Sequence, residues 1–154
     1  MDGDIISVER VIAAPPEAIF AYLADASRHS EIDGSGTVKG TRSGGPEPLA
    51  LGTTFGMSMK LGLPYRMVST VVEFEPDRRI AWQSHAPGPL GKLFGGRIWR
   101  YVLEPVGEST RVVESWDLSR DKQRFALRLG PLPERTRQNM QKTLERIEQL
   151  VTSG

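Results

Sequence analysis

The chain has 154 residues, 38% of them hydrophobic and 25% charged, with a formal net charge of +1; that is the size of one domain, 1–154, able to bury roughly 70% of its unfolded surface. Near-neutral charge gives no drive toward nucleic acid, and the absence of cysteine removes disulfides, thiol catalysis and thiolate metal sites. No apolar run approaches the ~20 residues of a membrane helix, and the opening Met1-Asp2-Gly3-Asp4 lacks signal-peptide character, so the expectation is a cytoplasmic protein with no integral membrane association.

Ile5 to Ala13 is rich in β-branched residues and ends at Ala14-Pro15-Pro16, which marks a first strand. Pro16 suits the first turn of a helix, and Ile19, Phe20 and Leu23 give that helix one apolar face. Asp25 can cap a second short helix, Ala26 to Ile32, stopped by Asp33-Gly34-Ser35-Gly36. From there the period changes to two. Thr37 to Arg42 is a weak strand. Phe55, Met57, Met59 and Leu61 alternate with small or polar residues, as a half-buried strand does. Gly62-Leu63 fits a two-residue turn into the strand Tyr65 to Glu75, whose alternation places Arg66, Val68, Thr70 and Val72 with Phe74. Pro76-Asp77 makes the next turn. Ile80 to His85 follows, with Ile80, Trp82 and Ser84 on one face, then a Gly/Pro loop. Arg97 to Glu104 aligns Trp99, Tyr101 and Leu103; Thr110 to Asp117 aligns Val112, Glu114 and Trp116. The expectation is seven strands, mostly joined by short turns and therefore antiparallel. Asp121 to Leu129 reads as a helical turn leading into the last element, because Phe125 and Leu129 stand four apart.

That last element is one long amphipathic helix, Pro131 to Val151. Met140, Leu144, Ile147 and Val151 fall on a single face, widened by Thr136, Thr143 and Leu150, and the opposite face is polar. An apolar stripe of this length needs a sheet to cover it.

The sequence carries further likenesses. Val8 to Phe20 (VERVIAAPPEAIF), Val71 to Trp82 (VVEFEPDRRIAW), Trp99 to Pro105 (WRYVLEP), Ser109 to Ser115 (STRVVES) and Met140 to Leu150 (MQKTLERIEQL) resemble, in that order, the opening strand and helix, central hairpin, last strands and closing helix of the START-like or SRPBCC superfamily. The polyketide cyclase/dehydrase-like branch is the nearest; Ile32 stands where many relatives have an aromatic residue. The resemblance implies an α+β helix-grip fold: a seven-stranded, curved antiparallel sheet wrapped around a long C-terminal helix, two short helices after the first strand, and an apolar cavity between sheet and helix. It also implies a hydrophobic small-molecule ligand, lipid-like or polyketide-like, without fixing any one chemistry.

Chemistry-bearing motifs are few. His29 and His85 are far apart and lack a carboxylate ligand pattern, so no metal is expected. No nucleophile elbow or phosphate loop is present, so no cofactor is expected either. The ligand-binding candidates are Phe55, Met57, Met59, Arg66, Thr70, Trp82, Trp99, Tyr101, Glu114, Trp116, Thr136 and Met140, which would give a mostly apolar wall with a few polar groups; the same aromatic residues can instead simply fill a core. Within the helix stripe, Leu144, Ile147, Leu150 and Val151 are assigned to anchoring, and Thr136, Met140 and Thr143 to the cavity. The catalytic candidates are Arg66, Glu114, Tyr101 and His85. Arg66 can hold a carboxylate or enolate, and Glu114 can accept a hydroxyl proton; alternatively each lies at a strand end in water, or they pair together. His85 has a pKa range suited to proton transfer, or is solvated surface. The basic residues between Leu118 and Arg146 can face an anionic surface or simply water. Three functions follow: binding or carriage of an apolar molecule, a cyclase, aromatase or dehydratase acting in the same cavity, or a protein-interaction module of co-chaperone type. A monomer or homodimer suits all three.

Overall fold

Strand propensity and turn chemistry assemble into one antiparallel sheet in the computed structural model, which describes residues 4–25, 28–32, 38–41, 49–61 and 63–152. The strands are β1 (Ile5–Ile12), β2 (Val38–Thr41), β3 (Thr54–Leu61), β4 (Leu63–Glu75), β5 (Arg79–His85), β6 (Gly95–Val106) and β7 (Ser109–Asp117), and the helices are α1 (Pro16–Leu23), α2 (His29–Ile32), α3 (Arg124–Leu127) and α4 (Leu132–Thr152). Six of the strands are seven residues or longer and make the body of an open sheet, with the four-residue β2 paired beyond β3. The order is β1-β7-β6-β5-β4-β3-β2, so the first strand closes onto the last.

Helix α1 starts where two prolines permit it: Pro15 is extended and Pro16 occupies the first turn, where its missing N–H costs nothing. Its Ile19, Phe20 and Leu23 are buried. Helix α2 is shorter than the stretch expected from the sequence, and Ala26 and Ser27 lie outside the described residues. β4 begins two residues earlier than expected. Leu61 pairs with Leu63, so Leu63 belongs to the strand rather than to a two-residue turn; Gly62 lies outside the described residues. At the Pro76-Asp77 turn, Arg78 N–H donates to the Glu75 carbonyl at 2.9 Å, and Asp77 takes φ 61°, a conformation its short polar side chain tolerates.

One face of β4 differs from its sequence alternation, and the reason is a register shift. Val71 pairs with Trp82, whereas Glu73 pairs with Ala81. This bulge inserts a residue and flips parity beyond it. Ser69 and Val71 take the buried side before the bulge and Phe74 after it, while Val72 is exposed. Phe74 therefore does not share a face with Thr70 and Val68, and position 66 falls in step with those two.

α4 packs chiefly along β1 and also meets α1, α2 and β7. Its Met140, Leu144 and Ile147 are almost completely buried, with Thr136 and Thr143 beside them, whereas Leu150 and Val151 are half-buried. Arg10 of β1 clasps Glu148 of α4 through Nε at 2.9 Å and Nη2 at 2.7 Å. Both side chains are partly in water, so this clasp orients more than it stabilises.

Candidate functional site

The cross-strand register stacks the buried residues of the inner face into rows. One row runs Val71, Trp82, Trp99, Trp116 and Ile6 across β4, β5, β6, β7 and β1. The next runs Phe74, Ile80, Tyr101, Glu114 and Val8. Strands lie ~4.8 Å apart, so neighbouring members of a row touch. Trp99 and Trp116 stack at 6.0 Å, and Trp82 meets Tyr101 at 5.6 Å and Phe55 at 5.8 Å. The result is a continuous aromatic wall.

Polar groups interrupt that wall at a few points. Tyr101 O–H donates to Glu114 Oε2 at 2.9 Å, with both residues buried. A buried carboxylate carries a desolvation cost that such bonds only partly offset. Ser69 and Ser84 hydroxyls bond to each other at 2.8 Å in the interior. The Trp116 indole Nε1–H is buried without a hydrogen-bond partner.

His29 joins this group. Its ring stacks on Trp82 at 4.7 Å and meets Phe55 edge-on at 5.4 Å. Its Nε2 lies 2.9 Å from the Leu23 carbonyl at the end of α1. A carbonyl only accepts, so Nε2 carries the proton and Nδ1 is left as an acceptor; it is buried and has no partner. Burial holds this imidazole's pKa below its usual 6.5, although the Leu23 bond and Asp25 pull the other way. The ring is therefore neutral near pH 7.

The residues singled out from the sequence separate on this frame. Phe55, Trp82, Tyr101, Glu114, Trp116, Thr136 and Met140 are buried and Trp99 is half-buried. Thr70 is half-buried and lies in register with Gln83, out of step with Ser69 and Val71. The side chains of Met57, Met59 and Arg66 lie outside the described residues. His85 is half-buried, with its Nδ1 3.1 Å from the Ala86 carbonyl, so it serves its own loop. His29 is the residue that sequence reasoning missed as a site member. Nothing local marks it, because its burial depends on Trp82 and Phe55, distant in the chain. Among the described residues no group of three His, Cys, Asp or Glu side chains is placed to hold a metal ion.

On the opposite face, Arg100 binds Glu73 at 2.7 Å and reaches Asp117 at 3.5 Å. Hydrogen bonding from Arg100 holds the Glu73 carboxyl below the ordinary carboxylate range. That network ties β4, β6 and β7 together on the outside.

An antiparallel sheet, a long C-terminal helix and an aromatic inner face with isolated polar groups define a helix-and-sheet class of α+β domain. The family described as "Polyketide cyclase / dehydrase and lipid transport" matches residues 5–152. The chain belongs to this family, within the START-like or SRPBCC superfamily that its motifs resemble. An uncharacterized protein of Mycobacterium tuberculosis strain H37Rv is 43% identical over 108 residues, 69% of this chain. The match spans 44% of that relative's length. Among solved structures, a protein from Arthrobacter aurescens superposes with a TM-score of 0.76 at 14% identity, covering 100% of this chain and 90% of that one. One from Chromobacterium violaceum gives a TM-score of 0.71 at 17% identity, covering 97% and 98%. These likenesses establish the fold.

Proposed function

We propose that the inner face binds and carries a hydrophobic small molecule, lipid-like or polyketide-like, held between the sheet and α4. The observation that carries this reading is the pair of buried polar atoms without protein partners, Trp116 Nε1–H and His29 Nδ1, set among stacked aromatic rings. Leaving such an atom unpaired costs about 1–3 kcal/mol. A bound molecule with one acceptor and one donor removes that cost, and aromatic walls with few polar groups are what apolar ligands need. The family's printed description, which includes lipid transport, agrees. The lack of cysteine fits a cytoplasmic setting.

A second reading, a cyclase or dehydratase in the same place, is favoured by the buried Tyr101–Glu114 bond. Glu114 would accept a proton and Tyr101 would orient it.

Each reading has its own test. The protein is purified without detergent and extracted with organic solvent, and the extract is analysed by mass spectrometry. Displacement of an apolar fluorescent probe is followed in parallel. Carriage predicts a recovered apolar molecule and saturable displacement. If neither is seen, the binding reading fails. An enzyme predicts that a linear poly-β-ketone is converted by the parent and at least about a hundredfold more slowly by Glu114→Gln; equal conversion removes Glu114 from the chemistry.

A further inference from the structure

The strongest surface anomaly lies away from the inner face. Leu90, Leu93 and Phe94, in the loop between β5 and β6, and Phe125 and Leu129, in and just after α3, are each more than half exposed, Leu129 by 71%. Large apolar side chains are normally exposed singly; these five belong to two segments sewn together. Gln123, just before α3, accepts from Gly95 N–H at 2.9 Å and donates to the Leu93 carbonyl at 2.8 Å. Lys122 N–H donates to the Gly95 carbonyl at 2.9 Å. Beneath them the fully buried Asp121 accepts from Arg97 N–H and Nε at 2.9 and 3.0 Å. Gly96 permits the close approach, because a Cβ there would collide with the Arg120 carbonyl. The apolar side chains thus stand on a braced platform.

Charge completes the picture. The segments 88–97 and 118–129 hold Lys92, Arg97, Arg120, Lys122, Arg124 and Arg128 against the single acid Asp121. Arg97 neutralises Asp121, and Arg128 meets Asp4 at 3.0 Å. Lys92, Arg120, Lys122 and Arg124 make no ion pair among the described residues. Cations therefore alternate with the exposed apolar residues along the chain: Lys92 beside Leu93, Arg124 over the Phe125 ring at 4.6 Å, Arg128 beside Leu129.

We infer that this platform docks onto an anionic lipid surface, its apolar side chains entering the headgroup boundary while Lys92, Arg120, Lys122 and Arg124 meet lipid phosphates. Two features choose a bilayer over a protein partner. The apolar residues sit on or just after a short 3-10 turn, Gly88–Lys92, and a four-residue helix, tips suited to insertion rather than a face long enough to seat a partner's helix. The interleaved long cations match the arrangement in which charged heads reach lipid phosphates while their stems lie along apolar neighbours. Such contact is peripheral; no helix among the described residues is long and apolar enough to cross a membrane.

The test is co-sedimentation of the full chain with phosphatidylcholine vesicles, alone or with about a third of the lipid as phosphatidylglycerol. Partition onto the anionic vesicles should be at least about tenfold stronger, and salt should weaken it through screening. The exposed pair F94S/F125S, checked for an unchanged melting temperature, should lose binding to both vesicles. The reversal K92E/K122E should abolish the preference for phosphatidylglycerol. Absence of binding to the anionic vesicles at low salt, or equal binding by F94S/F125S, overturns the inference. So does a parent that sediments as a dimer and becomes a monomer in F94S/F125S without any vesicle binding, because a second copy then covers the platform.

Discussion

Burying an imidazole against Trp82 and Phe55 exchanges water for aromatic rings on all but one nitrogen, and a phenylalanine would fill the same space without a stranded acceptor. The neutral His29 ring is maintained by desolvation, which holds its pKa below 6.5. The consequence for stability has a definite sign. As pH falls through about 6.5 the unfolded chain takes up a proton there and the folded chain does not, so stability is full above that pH and declines below it, by up to ~1.4 kcal/mol per pH unit. Glu73 also has a lowered pKa, set first by its bond to Arg100, but its loss comes only as pH falls below its usual 4.5. Thermal melting between about pH 7 and 5 therefore isolates the histidine. His29→Phe should flatten the decline in melting temperature over that range. An unchanged slope would assign the decline to another group. None of this is visible in the local sequence around position 29, whose neighbours carry no period that points a ring inward. Tyr101, Glu114 and Trp116 were legible, because unbroken alternation in β6 and β7 fixes their face.

At the scale of elements, α4 shows what a local period reveals and what it leaves open. The 3.6-residue spacing identifies the helix and its stripe because both depend only on the chain's own geometry. It does not divide the stripe by role. Met140, assigned from the sequence to a cavity wall, is 2% exposed, beside Leu144 at 1% and Ile147 at 0%. Met140→Ala should therefore cost about as much as Leu144→Ala, ~2–5 kcal/mol in urea unfolding. A loss below ~1 kcal/mol would restore the sequence-based division. β4 fails to follow its alternation for a related reason: the shift between Val71 and Glu73 is a property of its pairing with β5, and alternation read along one strand passes straight through it. The α3 stretch gave the reverse surprise. Phe125 and Leu129 sit at helical spacing as an apolar pair should, yet both face outward, because α3 is braced through Asp121 and Gln123 and turns Leu127 instead toward the core.

For the whole molecule, the two unusual regions share one end. The exposed platform is built where β6 begins and β7 ends, and the tryptophan row crosses the sheet at Trp99 and Trp116, a few residues from those strand ends. α4 enters from the same side, since its first residue, Leu132, follows α3 closely. A carrier that meets a lipid surface through the platform would then present its inner face close to the bilayer. Those roles remain separable, because the platform residues are exposed and the inner-face residues mostly buried. The central claim is that the inner face takes an apolar molecule through its stranded polar atoms. It is tested most directly by indole N–H resonances in a nitrogen-15-labelled sample titrated with 2-acetonaphthone, an aromatic ketone able to accept a hydrogen bond. The chain has three tryptophans, and the Trp116 signal is assigned by its loss in Trp116→Phe. That resonance should move downfield and saturate as the ketone's oxygen takes the Nε1–H. If it stays fixed while changes are confined to the backbone signals of Phe94 and Phe125, the molecule binds on the surface and the account of the inner face is wrong.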